Sequence, residues 1–397
     1  MIEFHSTLPF TSSLFFYYML GTVCVFVLAK YVLARFIPFS WVLAFVSAFY
    51  IVLLFPKPLQ LLGMMTYFYG IYYILGRKMK LEGLLLPVIL LALPLVLMKF
   101  TSIIPASEEK NSFPGFMALV WQVAGLSYIT FKAVQVYIDE KDAPETISPL
   151  RFFNFMAFVP TILIGPIDRF NRFDADVTRG YAGISMSSFS AAMDFFIRGL
   201  LYKFILAETI YRLVLLRLVD DGSMLFHAEY MYTYLFYLFF DFAGYSLLAM
   251  GFGKMIGIDV PYNFYQPFLA VNPKEFWKRW HKTLGDWLND YFFKPVFKEL
   301  TTKKVFKPIQ RQNVALFLTF TLMGFWNGFK VHYILSGMLF GLYSVIHNYY
   351  VYLCKKNGKD VFFGKLGPVA IRYISIFILF HAVAFAIYIF SGELIKI

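Results

Sequence analysis

The residues most able to do chemistry near neutral pH lie in the run PKEFWKRWHKTLGDWLNDY, residues 273–291. Its one imidazole is His281, and an unperturbed imidazole titrates in the range where a base can take a proton from a hydroxyl. Asn272 can cap a helix, with Pro273 in the first turn and Glu275 three residues after the cap. A helix continued to Tyr291 would gather Trp277, Trp280, Leu284, Trp287, Leu288 and Tyr291 within about 100° of arc. Arg279, Lys282 and Asp286 would then lie opposite, and His281 at about 40°, on the edge of the aromatic face. An imidazole there looks into protein or membrane. The same pattern also suits a membrane-surface helix whose histidine is a hydrogen-bonded bystander.

A second constellation is Met323-Gly324-Phe325-Trp326-Asn327-Gly328, at the end of an apolar run. Asn-Gly tolerates positive φ and marks a turn or a helix end, so a plain C-cap accounts for it structurally. His332 follows at the start of the next apolar run, and His347 lies within that run. Asp241 sits among aromatics in FFDFAGYS, residues 239–246, and an ionisable group in a spanning helix is a functional candidate. Gly165-Pro166-Ile167-Asp168-Arg169-Phe170 ends another run with an Asp–Arg neighbour pair, which an interfacial salt bridge would explain equally well.

Other chemistries lack their motifs. GYSLL at 244–248 misses the second glycine of a nucleophile elbow. GFGKM at 251–255 has no Ser or Thr after the lysine and is not a phosphate loop. There is no HExxH, and Cys24 and Cys354 give neither a disulfide framework nor a metal-ligand spacing.

The elements that must position these residues are set by composition. The 397-residue chain is 59% hydrophobic and only 15% charged, with a mean hydropathy of +0.64. Soluble domains are about a quarter charged, so this much apolar surface requires lipid. The expected fold is all-α and polytopic. Apolar stretches near the spanning length of about 20 residues fall at 14–34, 39–55, 61–76, 84–100, 114–138, 151–165, 193–218, 230–252, 313–326, 331–353 and 367–391. They predict about ten to twelve transmembrane helices, the fourth bent by Pro87 and Pro94. With no internal repeat or long linker, a single domain is expected over 1–397. Its peripheral spans would occupy 1–110, the motif-bearing core 120–353, and a last span 367–391.

The first ten residues carry Glu3 and no basic cluster, so the first run is expected to stay as a helix rather than a cleaved signal. The net charge of +12 suits cytoplasmic loops of a membrane protein rather than nucleic acid. Lys30 and Arg35, and Arg77, Lys78 and Lys80, agree on an N-terminus outside. Lys355, Lys356 and Lys359 form a further basic group. Segment 253–312 holds eleven Lys or Arg, five acids and three tryptophans, which suits an interfacial or re-entrant segment with a basic cytoplasmic face.

Taken together, the segments 125–133 (GLSYITFKA), 165–170, 241–246, 275–281 and 323–328 resemble the membrane-bound O-acyltransferase superfamily, and within it the bacterial members that transfer D-alanyl groups to teichoic acid. The pair FWKRWH and MGFWxG, about 46 residues apart, is the most specific part of the match. The resemblance implies a ring of helices around a funnel in the cytoplasmic membrane. It implies an acyl donor from the cytoplasm and an external hydroxyl acceptor of teichoic acid glycolipid type. The donor would be D-alanine in thioester linkage to the phosphopantetheine of a small acidic carrier protein, so the chain itself would bind no cofactor. Lys298, Lys303 and Lys304 are the expected carrier contacts, since a basic surface steers an anionic protein. The substrate-lining residues implied are Trp280, Trp326, Asp241 and Ser127. A small auxiliary membrane peptide is a further candidate partner, beside membrane lipid.

One departure stands out. The family's catalytic histidine lies in a Trp-His-Gly triplet, and here that position is Asn327. A carboxamide can orient a hydroxyl or donate to an oxyanion, but it does not hold a proton. Losing a general base typically costs about 10²- to 10⁴-fold in rate. Three outcomes stay open: a site whose base has been removed, a site in which His281 or His332 supplies it, or a non-catalytic relative that still binds the carrier. A transporter or flippase is the rival class, but the paired broken helices of an inverted repeat are not visible.

Overall fold

The computed structural model describes residues 10, 13–101, 124–358 and 366–395. The first part of the expected 114–138 span, the N-terminal residues 1–9 and Lys359 lie outside them. Backbone in lipid must satisfy its own hydrogen bonds, and the described residues are helices and turns without a strand.

The helices in chain order are α1 (Ser13–Leu28), α2 (Phe39–Leu54), α3 (Pro58–Ile71), α4 (Leu85–Thr101), α5 (Leu126–Glu140), α6 (Pro149–Met156), α7 (Phe170–Arg179) and α8 (Met186–Leu200). They continue as α9 (Glu208–Leu213), α10 (Met224–Met255), α11 (Pro273–Trp277), α12 (Lys282–Leu288), α13 (Lys294–Thr302), α14 (Pro308–Asn327), α15 (Val331–Lys356) and α16 (Pro368–Ser391). Leu14–Leu33, Met224–Met255 and Pro368–Ser391 are long and apolar enough to cross a membrane, and Phe39–Leu54 and Leu85–Phe100 are shorter apolar helices. Pro87 falls in the first turn of α4, where its missing N–H breaks no bond, so only Pro94 lies inside the helix.

Contacts divide the chain into two compact units. One comprises Met1–Leu201 with Gly244–Pro261, the other Tyr202–Ala243 with Tyr262–Ile397. In the first, the expected 151–165 span is not one helix: α6 stops at Met156 and a short 3-10 turn, Val159–Thr161, follows. Pro160 in that turn lacks the N–H that would continue the ladder. Buried side chains of α5 hold the interrupted segment. Lys132 Nζ on α5 donates to the Phe155 carbonyl at 2.9 Å, and Gln135 Nε2 donates to the Asp168 carbonyl at 2.7 Å. Thus α5 is tied to the segment 155–168 that follows it in the chain. Asp168 pairs with Arg172, one turn into α7, beyond the neighbouring Arg169 on which the sequence pattern centred.

In the second unit, α14 and α15 form a tight hairpin. A Cβ on Gly324 would lie 2.6 Å from the Tyr333 carbonyl, and one on Gly337 2.5 Å from the Phe320 carbonyl. Only glycine lets two helices approach so closely. The glycine of MGFW is therefore a packing residue. Ser336 Oγ ties α15 to α16 by donating to the Ala386 carbonyl at 2.8 Å.

Candidate active site

The run 273–291 starts as its sequence predicts. Asn272 accepts from the Glu275 amide at 2.8 Å, and Glu275 Oε2 accepts from the Val271 amide at 3.0 Å. It does not continue as one helix. α11 ends at Trp277 and α12 begins at Lys282, with His281 as its N-cap in the left-handed region, φ 44° and ψ 47°. The break is held from outside the run: the Tyr265 amide donates to the Arg279 carbonyl and the Lys282 amide to the Asn263 carbonyl, both at 2.9 Å. The single aromatic arc expected from an unbroken helix is replaced by two short helices meeting at the histidine.

That break turns His281 inward, to 6% exposure. Its Nδ1 lies 3.0 Å from Asn263 Oδ1, and Thr283 Oγ1 donates to the same oxygen at 2.9 Å. An oxygen already accepting from a hydroxyl accepts again, so Nδ1 carries the hydrogen and Nε2 keeps its lone pair. Nε2 is buried and has no hydrogen-bond partner among the described residues. The Phe242 ring stands perpendicular to the imidazole at 4.7 Å between centroids, and the Trp326 ring lies at 6.3 Å. Burial lowers the His281 pKa from 6.5 to about 3, because an apolar surround disfavours the cation. The histidine is thus neutral and fixed in one tautomer, with one buried acceptor that has no partner among the described residues.

The second motif ends α14 as Asn-Gly predicts. Asn327 Nδ2 donates to the Met323 carbonyl at 2.9 Å, which leaves its Oδ1 and second N–H for other use. Trp326, its neighbour, carries the motif to the face of His281. Trp280 is 7% exposed, stacked on Phe276 at 5.6 Å and edge-on to Phe264 at 5.2 Å. Phe264 in turn packs edge-on to Phe242, the ring that stands against the imidazole.

Asp241 precedes Phe242 on α10 and is ion-paired with Lys203 Nζ at 2.5 Å. Lys203 was not among the sequence candidates. Its signal, a single cation in the apolar stretch 199–207, was available. Above Asp241 on the same helix, Tyr230, Tyr234 and Tyr237 follow at intervals of three and four residues, with stacked Tyr230–Tyr234 rings at 5.8 Å. This polar aromatic stripe was also missed, because aromatic residues in spans read as packing. Ser127 lies in the first turn of α5, in the other unit.

Lys298, Lys303 and Lys304 are exposed around the C-terminus of α13. Lys303 pairs with Glu299 at 2.9 Å, whereas Lys298 and Lys304 form no ion pair among the described residues. His332 packs edge-on against Tyr333 at 4.1 Å. Among the described residues no group of three His, Cys, Asp or Glu side chains could hold a metal ion.

The family described as MBOAT, membrane-bound O-acyltransferase family, matches residues 6–390. The chain is similar to the teichoic acid D-alanyltransferase of Bacillus subtilis (strain 168), 37% identical over 276 residues, or 68% of each chain. It is also similar to the protein of the same name from Streptococcus thermophilus, 35% identical over 322 residues, 77% of this chain and 74% of that one. The probable alginate O-acetylase AlgI of Pseudomonas syringae pv. tomato is 31% identical over 262 residues, 62% of this chain and 46% of that protein.

Proposed function

The chain belongs to the membrane-bound O-acyltransferase family and is an acyltransferase, and from that premise we propose that it moves D-alanyl groups from a carrier-protein thioester to a hydroxyl of a teichoic acid-type acceptor. The names of the two teichoic acid D-alanyltransferases it is similar to support the acyl group and the acceptor. The observation that carries the reading is His281: a buried neutral imidazole with Nδ1 fixed by Asn263 and Nε2 open beside Trp326.

The step balances simply. The acceptor oxygen attacks the thioester carbonyl carbon; a C–O bond forms and the C–S bond breaks. The hydroxyl proton passes through His281 Nε2 to the departing thiolate of the carrier's phosphopantetheine arm. With its basicity depressed by burial, the imidazole relays this proton rather than storing it. Asn327 donates an N–H to the oxygen that gains negative charge. Trp280, Trp326 and Asp241 line the approach to the imidazole. The exposed Lys298, Lys303 and Lys304 receive the acidic carrier. The location is the bacterial cytoplasmic membrane, with the donor entering from the cytoplasm.

The test is transfer from a D-alanyl-loaded carrier in reconstituted membranes, comparing the unaltered chain with His281→Gln and Asn327→His. Transfer by the unaltered chain that falls about 10²-fold or more in His281→Gln supports the relay. Transfer that appears only with Asn327→His keeps the acyltransferase but moves the proton-taking group to position 327. Equal activity in the unaltered chain and His281→Gln overturns the role given to His281. Silence in all three overturns the D-alanyl assignment.

A further inference from the structure

Outside the acyl-transfer site, the first unit holds a polar cavity that the reaction does not use. Residues 179–188 read RGYAGISMSS: two glycines, then a serine capping a fifteen-residue helix. α7 ends on Gly180, whose φ of 58° reverses the chain, and a 3-10 turn, Gly180–Gly183, leads to α8. Gly183 lies against the backbone of Gly257, just beyond α10. A Cβ on Gly183 would stand 2.6 Å from the Gly257 carbonyl. Two bare backbone turns therefore meet, and a cavity of about 250 Å³ opens beside them.

Its lining includes Arg179, Ser185, Ser188, Lys254 and Asp259. Arg179 donates to the Gly257 carbonyl at 3.0 Å and pairs with Asp176 at 3.0 Å and Asp259 at 3.7 Å. Lys254 Nζ donates to Asp259 Oδ1 at 2.6 Å. The wall thus carries two cations and one carboxylate, and Asp259 holds both cations at the cavity. Behind it, Arg172 is matched by Asp168 and Asp176. A third cation stands beside the loop, where Lys30 Nζ donates to the Ile184 carbonyl at 2.5 Å. The N-terminus of α8 adds the positive end of its dipole. A helix N-terminus reached through a glycine-bearing turn, with Arg, Lys and Ser around it, is the chemistry that holds a phosphate.

We propose that this cavity binds a phosphate ester, and that its occupant is the headgroup of an anionic phospholipid. Its level in the chain supports the lipid source. Lys30 lies near the end of the candidate span Leu14–Leu33, and Lys254 is one residue from the end of Met224–Met255. Two spans therefore bring their basic ends to one place, where lipid phosphates lie. Met186, 83% exposed, follows the lining residue Ser185, and Phe36, 80% exposed, precedes Ile37; both offer apolar surface to acyl chains. Tyr181 holds the two segments together by donating to the Ile37 carbonyl at 3.1 Å.

The experiment is thermal unfolding of the full chain in phosphate-free maltoside detergent. Three additions are compared: inorganic phosphate, short-chain phosphatidylglycerol, and a diacylglycerol of the same chain length. The expected result is a melting temperature raised by about 3 °C or more by phosphatidylglycerol and unmoved by diacylglycerol. The shift should be lost in Lys254→Gln and Ser188→Glu. Glutamate at position 188 keeps the capping geometry of α8 but puts an anion where the phosphate would sit, so its folding is preserved. An equal shift by inorganic phosphate supports the phosphate site and overturns the lipid as its source. No shift with either phosphate probe, or a shift retained in both variants, overturns the proposal.

Discussion

His281 Nδ1 and Asn263 Oδ1 lie 3.0 Å apart at a helix break that neither residue could make alone. Asn263 stands in the loop after α10 and takes three hydrogen bonds from the 281–283 corner: two on its side-chain oxygen, from His281 and Thr283, and one on its carbonyl, from the Lys282 amide. One asparagine thereby sets the left-handed backbone, the ring orientation and the tautomer of the histidine.

A carboxylate in place of that amide should change the histidine's titration while keeping its geometry. Asn263→Asp supplies the same acceptor with a charge, and an opposite charge in contact raises an imidazole pKa by about one to three pH units. From about 3, His281 would then titrate at about pH 4–6. The unaltered chain should show no acid limb from His281 in its rate profile between pH 5 and 8, and Asn263→Asp should acquire one. Identical profiles would show that Asn263 does not govern the imidazole. The comparison needs only rates of acyl transfer against pH.

Stability should respond in a defined direction. The folded pKa of His281 is depressed from 6.5 to about 3. Between those values the unfolded chain binds a proton that the folded chain refuses, so stability rises with pH across that window. Above about pH 6.5 the contribution is complete, and it is lost as pH falls toward 3. The melting temperature in detergent should therefore drop from pH 7 to pH 4.5 more steeply for the unaltered chain than for His281→Gln. Parallel slopes would mean that the imidazole is solvated and titrates normally.

How much of this was legible depends on whether the cause was local. The cap at Asn272 and the helix end at Asn327-Gly328 rest on neighbouring residues, and both stand in the structure as their motifs imply. The break at His281 was not legible, because its hydrogen bonds come from Asn263 and Tyr265 and helical periodicity carries no trace of them. Asp241 stood out as a charge in an apolar run, but its partner Lys203 lies 38 residues earlier, a distance that no spacing rule connects. Gly324 was legible as a motif residue, whereas its reason, the carbonyl of Tyr333, belongs to the next helix. The RGYAGISMSS turn matches no phosphate-loop spacing, and Lys254 and Asp259 reach it only through the fold.

Carrier binding should depend on the exposed cations of α13. Among the described residues Lys298 and Lys304 have no ion-pair partners, so their charges are open to an acidic protein. Reversing both to glutamate should weaken binding at low ionic strength by about tenfold or more, mainly through slower association. The difference should shrink as salt shortens the screening length to about 8 Å at 0.15 M and below. Lys303→Glu should add less than either, because Lys303 is already held by Glu299. Affinity unchanged at low salt would remove this surface from the carrier's path. Surface plasmon resonance on nanodisc-embedded protein, run at two ionic strengths, decides it.

The Lys203–Asp241 pair allows structure and function to be separated. The lysine side chain is 13% exposed and the carboxylate 38%, so the pair is only partly withdrawn from solvent. Lys203→Met leaves the carboxylate unpaired and should destabilise by about 2 kcal/mol, below the 3–5 kcal/mol typical of a fully buried pair. Asp241→Asn should cost a similar amount. The double variant removes both charges and should recover most of the loss, giving a coupling energy well above the scatter of about 0.5 kcal/mol seen for independent sites. Additive losses would mean that the two charges do not interact. Transfer activity in the recovered double variant then tests Asp241 itself. If the carboxylate helps to bring the acceptor to His281, the variant should stay folded and lose transfer chiefly through a raised KM for the acceptor. If the pair only holds α10 in place, stability and transfer should return together.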